Sequence, residues 1–242
     1  MEKIANILKQ ETRGTDTFHS PRHSAVVRIT HWITTFSFLA LIVSGAAILL
    51  AHPRLYWGET GSVGTPSLID LPLPFVLVGQ SGWGRSLHFV SAWACVLTGL
   101  LYLLTGFLSQ HFRRDLLPVK ADLAWAPLSR TLLNHLHLKW PTEAEPETYN
   151  VLQRLVYLAV IFILFPLIVA TGLAMSPAIT SVVPVLVNVF GGYESARTLH
   201  FFLASFLVIF LFVHIAMVCL TGFVSRTRGM ITGHHAGREK HI

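Results

Sequence analysis

The chain has 242 residues, 52% of them hydrophobic and only 12% charged, where a soluble domain carries roughly 25% charged residues. That balance excludes an ordinary cytoplasmic globule, and it excludes a disordered chain, which would be polar and highly charged. The net charge of +6 comes without a basic cluster on a soluble fold, so nucleic-acid binding is set aside.

Four apolar runs are long enough to cross a bilayer core of about 30 Å, which takes about 20 residues of helix. The first covers residues 25–51. It starts too late and runs too long for a signal-peptide core, and no Ala-x-Ala site follows it. Residues 52–83 then form a long connection, rich in Gly and Pro, that carries Tyr56-Trp57-Gly58-Glu59. Connections of that length are uncommon and often functional. The segment is either an interfacial aromatic anchor or a docking loop for an external partner.

The second run covers 84–109. The connection after it holds Trp125, Leu128, Leu132, Leu136 and Trp140 at near-helical spacing beside Arg130 and Lys139, the pattern of a short helix lying on the membrane face. The third run covers 151–175, and Pro166 predicts a kink in it. The fourth covers 196–224, and the tail beyond it, with His234, His235 and His241, reads as disordered. All four runs are continuous rather than alternating, so they read as helices. Cys95 and Cys219 lie within the second and fourth runs. They make no disulfide framework, and the absence of a Cys-x-x-Cys-His sequence rules out covalent c-type haem.

Fifteen of the 18 Lys and Arg residues lie before the first run, between the second and third, after the fourth, or at the adjoining helix ends (Arg28 and Arg154); Arg54, Arg85 and Arg197 are the three on the opposite side. By the positive-inside rule both termini are cytoplasmic. The predicted architecture is all-α: an integral four-helix membrane bundle, residues 1–242 as one domain.

The chemistry rests on four of the 13 histidines. His31 falls in the first run, His88 in the second, and His200 and His214 in the fourth. Ionisable groups within a membrane are costly and point to function, although a lone imidazole is more often a hydrogen bond between helices. Depth separates the two readings. His200 and His214 are 14 residues apart, about 21 Å along a helix and close to four whole turns, so they share a face. With helices alternating in direction, His31 matches His214 in depth on the inner side, and His88 matches His200 on the outer side. Two facing histidines on different helices are what axial ligation of a haem iron requires. Zinc favours a tighter cluster of three or four ligands. The predicted metal ligands are therefore His31 with His214 and His88 with His200, each pair holding one b-type haem.

Arg28, Arg85 and Arg197 each stand three residues before one of these histidines, hence on the same helix face. They are candidates for the anionic haem propionates, against plain snorkelling at the membrane edge. Gly45 lies 14 residues after His31 and Gly99 lies 11 after His88. Both return to the ligand's face near the depth of the other haem, where glycine admits a ring close to backbone; tight helix packing is the competing use.

Arg28-x-x-His31-Trp32, His88, and His200 followed 14 residues later by His214 resemble the bacterial di-haem cytochrome b family. That family includes the b-type subunits of nickel-iron hydrogenase, formate dehydrogenase and thiosulfate reductase. The loop His52-Pro53-Arg54-Leu55-Tyr56-Trp57-Gly58 is more similar to the thiosulfate-reductase or molybdoenzyme-associated branch. The resemblance, over about residues 20–225, implies a quinone-reactive electron-transfer subunit of a respiratory oxidoreductase. A periplasmic partner would dock on loop 52–83, and a membrane quinone would bind near the inner haem. His23, Arg28 and Trp32 are the candidates for the quinone site. Two other readings compete. One is a stand-alone superoxide:quinone oxidoreductase of the same fold, which would not need the long outer loop. The other is a haem-free transporter or anchor, which would show no visible absorbance.

Overall fold

The computed structural model describes residues 24–61, 64–72, 81–110, 112–117 and 151–233. His23, the expected surface helix around 125–140, and the tail histidines His234, His235 and His241 lie outside the described residues.

The first span, α1 (Ala25–Ala51), starts at Ser24, whose hydroxyl accepts the Val27 N–H at 3.3 Å. This is a serine N-cap satisfying one of the orphan donors of the first turn. Two short antiparallel strands follow, β1 (Arg54–Leu55) and β2 (Ile69–Asp70), with Arg54 opposite Asp70 and Leu55 opposite Ile69. The second span is α2 (Ser81–Leu108). The third combines α3 (Val151–Ala159) and α4 (Phe165–Ala174) through a wide π-type turn at Val160–Leu164. Pro166 has no N–H, and its ring crowds the carbonyl four residues back. The irregularity expected there takes the form of this wider turn. Two short helices, α5 (Pro177–Thr180) and α6 (Val185–Val189), lead to the fourth span, α7 (Tyr193–Leu220), and then to α8 (Phe223–Thr232). Four of these helical stretches are long and apolar enough to cross a membrane, and the protein is an integral membrane helical bundle.

The fourth helix departs from the expected 196–224 at both edges. It starts at Tyr193 because the Gly58 carbonyl accepts the N–H groups of Glu194 and Ser195 at 3.0 and 3.3 Å, supplying from a distant loop what the first turn lacks. It stops at Leu220 because Gly222 turns the chain with φ +111°, a conformation glycine adopts without strain.

The packing is that of a protein in lipid. Most buried positions in the spans are small or hydroxylated, among them Thr30, Ser44, Ala47, Ser91, Thr98, Thr171, Ala174 and Ala196; Val160 and Leu207 are the larger exceptions among the described residues. Phe36, Val43, Val90, Trp93, Leu97, Phe206 and Phe212 face outward. Small residues let helices approach where lipid provides no hydrophobic contrast. A Cβ at Gly84 would stand 3.0 Å from that of Ala47, which shows how closely α1 and α2 pack. The buried hydroxyls of Thr30, Ser44 and Thr171 are satisfied by carbonyls three and four residues back. α1 packs on α2, and α4 packs on α7. These two helical hairpins meet mainly through side chains rather than close backbones.

One end of the bundle carries the β-ribbon and the other carries α8; these are called the ribbon side and the tail side. The ribbon segment is fastened to α7. Gly58 N–H donates to Ser195 Oγ at 2.7 Å, and Thr198 Oγ1 donates to the Tyr56 carbonyl at 2.6 Å. Leu55, 1% exposed, is buried beneath. Gly58 and Gly192 come into direct contact: a Cβ on Gly192 would overlap the Gly58 main chain. The described part of loop 52–83 is thus a fixed roof, with Trp57 exposed on it.

Candidate functional site

On the ribbon side, α2 presents His88 and α7 presents His200, with ring centroids 6.2 Å apart and planes at 61°. Behind each ring is a hydroxyl on the neighbouring helix. Ser44 Oγ is 3.0 Å from His88 Nδ1, and Thr171 Oγ1 is 3.0 Å from His200 Nδ1. Each hydroxyl is followed by a glycine against the same ring. A Cβ at Gly45 would stand 3.6 Å from His88 Cε1, and one at Gly172 would stand 3.4 Å from His200 Cε1.

On the tail side, α1 presents His31 and α7 presents His214, with centroids 6.4 Å apart and planes at 58°. His214 stacks on Phe210 at 5.9 Å and meets the edge of Tyr157 at 6.4 Å; His31 meets Trp32 at 5.6 Å. Tail helix α8 closes this end. Arg28 Nη1 donates to the Ile231 carbonyl at 2.8 Å, and Trp32 Nε1 donates to that of Met230 at 3.1 Å.

The spacing of the rings bears on what each pair could hold. An imidazole nitrogen binds a metal at roughly 2 Å, and the ring centre lies about 1 Å behind it. Two imidazoles on opposite sides of one iron therefore have centroids roughly 6 Å apart. Two rings hydrogen-bonded directly to each other, nitrogen to nitrogen at about 3 Å, would sit near 5 Å. Both pairs, at 6.2 and 6.4 Å, fit the first case. Each also joins the α1–α2 hairpin to the α4–α7 hairpin, so that a flat group between the rings would separate the hairpins. Among the described residues no group of three or more His, Cys, Asp or Glu could hold another metal. Cys95 and Cys219 are free.

The arginines divide. Arg28 Nε is buried without a hydrogen-bond partner, and so is Arg154 Nε at the start of the third span. Both are donors available to an anion at the tail end. Arg197 is already engaged, with Nη1 3.2 Å from Glu194 Oε2 and Nη2 donating to the His52 carbonyl at 2.6 Å. Arg85 and Arg197 act on His52, just beyond α1. Partial burial, then these two positive charges, lower its pKa against the opposing pull of Glu194. Of the glycines, Gly45 lies against His88, while Gly99 has nothing within 4 Å of a Cβ position. Trp32 binds the tail helix.

The sequence reasoning did not single out Ser44, Thr171, Gly172 or Arg154 as site residues. The first three carry a signal: Ser44-Gly45 and Thr171-Gly172 are the same hydroxyl-glycine step, on the two helices that lack a ribbon-side histidine. Arg154 is, in the sequence, one of the fifteen basic residues on the side of the termini.

The profile of the family described as prokaryotic cytochrome b561 matches residues 22–233, a span that includes all four histidines. A candidate protein-methionine-sulfoxide reductase subunit, YedZ1, from Azospira oryzae is 33% identical over 213 residues, covering 88% of this chain and 96% of the relative. No solved structure matches the chain.

Proposed function

The chain belongs to the prokaryotic cytochrome b561 family, and from that premise we propose that it is the di-haem, quinone-linked electron-transfer subunit of a two-component oxidoreductase. As a family member it is a multi-pass protein of the bacterial inner membrane that binds haem b and carries electrons. The observation that supports two haems is the pair of imidazole spacings, 6.2 and 6.4 Å, at levels separated by the 14 residues from His200 to His214.

In this reading His88 and His200 hold one haem and His31 and His214 the other; bound haem supplies one-electron oxidation and reduction. The protein sets the remaining conditions. Arg28, with Arg154, offers unpaired donors to the tail-side propionates or to the quinone. Arg85 and Arg197 make the ribbon side electropositive around His52. Gly45 and Gly172 let the rings seat close to helix backbone. The fifteen-to-three split of basic residues supports a cytoplasmic tail side. The quinone then exchanges electrons near His31, Arg28 and Trp32, and the periplasmic partner docks on the ribbon roof around Trp57. The name of the relative, a subunit of a protein-methionine-sulfoxide reductase, makes a reductase of that class the partner we propose. Quinol oxidation provides two electrons and two protons; reduction of a sulfoxide to a thioether and water consumes the same number.

The test is to add a quinol analogue to the purified, oxidised protein and follow the reduced haem band. The reading predicts reduction in the wild type and loss of it in His214→Ala. Failure of quinol to reduce the wild-type haem overturns the quinone link. Quinone reduction driven by superoxide in the isolated protein would instead support the stand-alone oxidoreductase.

A further inference from the structure

Resting on the reading of His88 and His200 as the ligands of one haem, we infer that Ser44 and Thr171 are positioning residues that fix the tautomer of both ligands and lower the potential of that haem. The argument starts from a count of protons. A hydroxyl carries one. Ser44 Oγ lies 2.7 Å from the Ala40 carbonyl, 3.2 Å from that of Leu41 and 3.0 Å from His88 Nδ1. Thr171 Oγ1 lies 2.9 Å from the Leu167 carbonyl, 3.0 Å from that of Ile168 and 3.0 Å from His200 Nδ1. Carbonyl oxygens only accept, so each hydroxyl proton goes to its own helix, and the hydroxyl oxygen turns a lone pair to the imidazole. Each Nδ1 must therefore donate. The opposite arrangement, a hydroxyl donating to the ring, would leave its oxygen against a carbonyl with no proton between. Both hydroxyl residues are 0% exposed, so water cannot relieve that repulsion.

With Nδ1 protonated, Nε2 of each ring carries the lone pair, and the two Nε2 atoms are the ones left to bind iron. A hydrogen bond from the distal ring nitrogen holds the ring's rotation and makes the ligating nitrogen more basic. A more basic ligand favours ferric iron, and this kind of hydrogen bonding is one of the levers on haem potential. The glycine after each hydroxyl completes the cradle. With Cβ positions only 3.6 and 3.4 Å from the ring carbons, a longer side chain at Gly45 or Gly172 would push the imidazole off its acceptor. The same two-residue device thus occurs twice, once on each helical hairpin, facing one haem position. His214, by contrast, is bordered by the rings of Phe210 and Tyr157.

The test uses full-length protein in which wild-type haem content is measured first. The Ser44→Ala/Thr171→Val double variant removes both acceptors at nearly constant volume. We expect two haems per chain to remain. One midpoint potential should rise, changing that haem's oxidised-to-reduced ratio at fixed ambient potential by about tenfold, equivalent to about 59 mV for one electron. The low-spin ferric resonance of the same haem should move while the other stays. The Ser44→Thr/Thr171→Ser variant, which keeps both hydroxyls, should retain wild-type values. Selective loss of the ribbon-side haem that this conservative variant restores also supports the inference. Unchanged potentials and resonances in the double variant overturn it, as does loss of both haems or loss that the conservative variant does not restore. Wild-type protein without haem on His88 and His200 would overturn the underlying reading itself, and that measurement is separate.

Discussion

The two histidine pairs have nearly the same ring spacing and very different surroundings. On the ribbon side, His88 and His200 are held by buried hydroxyls and flanked by glycines, under a loop fastened to α7 by Gly58–Ser195 and Tyr56–Thr198 bonds. On the tail side, His31 and His214 are bordered by Trp32, Tyr157 and Phe210, and the closing helix is tied to α1 by main-chain bonds from two side chains, Arg28 and Trp32. On the proposed function, the comparison separates two jobs. A hydrogen-bonded ligand set with a fixed roof holds one geometry, which suits electron exchange with a protein that docks and leaves. A ring-lined set beside the unpaired Nε atoms of Arg28 and Arg154 suits a small aromatic molecule arriving from the membrane.

The strongest way to break the comparison is to remove one ligand at a time. His88→Ala or His200→Ala should reduce haem from two to one per chain and abolish the ribbon-side signal. His31→Ala or His214→Ala should do the same to the other signal. If one substitution empties both sites, the pairs are not independent. Next comes Gly172→Val. With a Cβ already 3.4 Å from His200 Cε1, two further methyl groups displace the ring, and most of the ribbon-side haem should be lost. Gly45→Ala, at 3.6 Å from His88, should keep it; the pyridine haemochrome assay reads both.

Smaller effects test the two closures. Ser195→Ala strands the Gly58 N–H beside a residue that is 0% exposed. A fully buried donor left unpaired costs about 1–3 kcal/mol; Gly58 is half-buried, so the loss falls at or below the low end, and thermal unfolding followed at the ribbon-side haem should begin a few degrees earlier. Trp32→Phe keeps a ring but loses the bond to the Met230 carbonyl, worth about 0.5–1.5 kcal/mol. Limited proteolysis within α8 should quicken by roughly two- to tenfold. The smallest effect concerns pH. Burial and the charges of Arg197 and Arg85 lower the His52 pKa from 6.5, so the opened ribbon end binds a proton more readily than the closed one. Ribbon-side stability is therefore complete above the ordinary histidine range and declines as pH falls below it. His52→Gln should flatten that dependence in melting curves while preserving the main-chain carbonyl that Arg197 uses.

The spans and the depth of the histidines were legible in the sequence because they depend on local quantities. Twenty apolar residues define a crossing, and a 14-residue step fixes both face and rise. The pairing of His31 with His214 and His88 with His200 followed from those quantities alone. The ribbon roof was not legible. Its bonds join Gly58 to Ser195 and Tyr56 to Thr198 across 137 and 142 residues, and no local pattern encodes them. The early start of α7 at Tyr193 depends on the same distant carbonyl of Gly58. Ser44 and Thr171 were hidden for a different reason. A serine or threonine within an apolar helix ordinarily bonds back to its own carbonyls; both do so here, and the further contact of each hydroxyl with a histidine Nδ1 is visible only in three dimensions.

The most direct test of the two-site account is the haem b content of the purified, haem-supplied protein, determined as pyridine haemochrome per chain. The account predicts two. One haem per chain would contradict the equivalence drawn between the 6.2 and 6.4 Å spacings, and one histidine pair would then have no iron to hold.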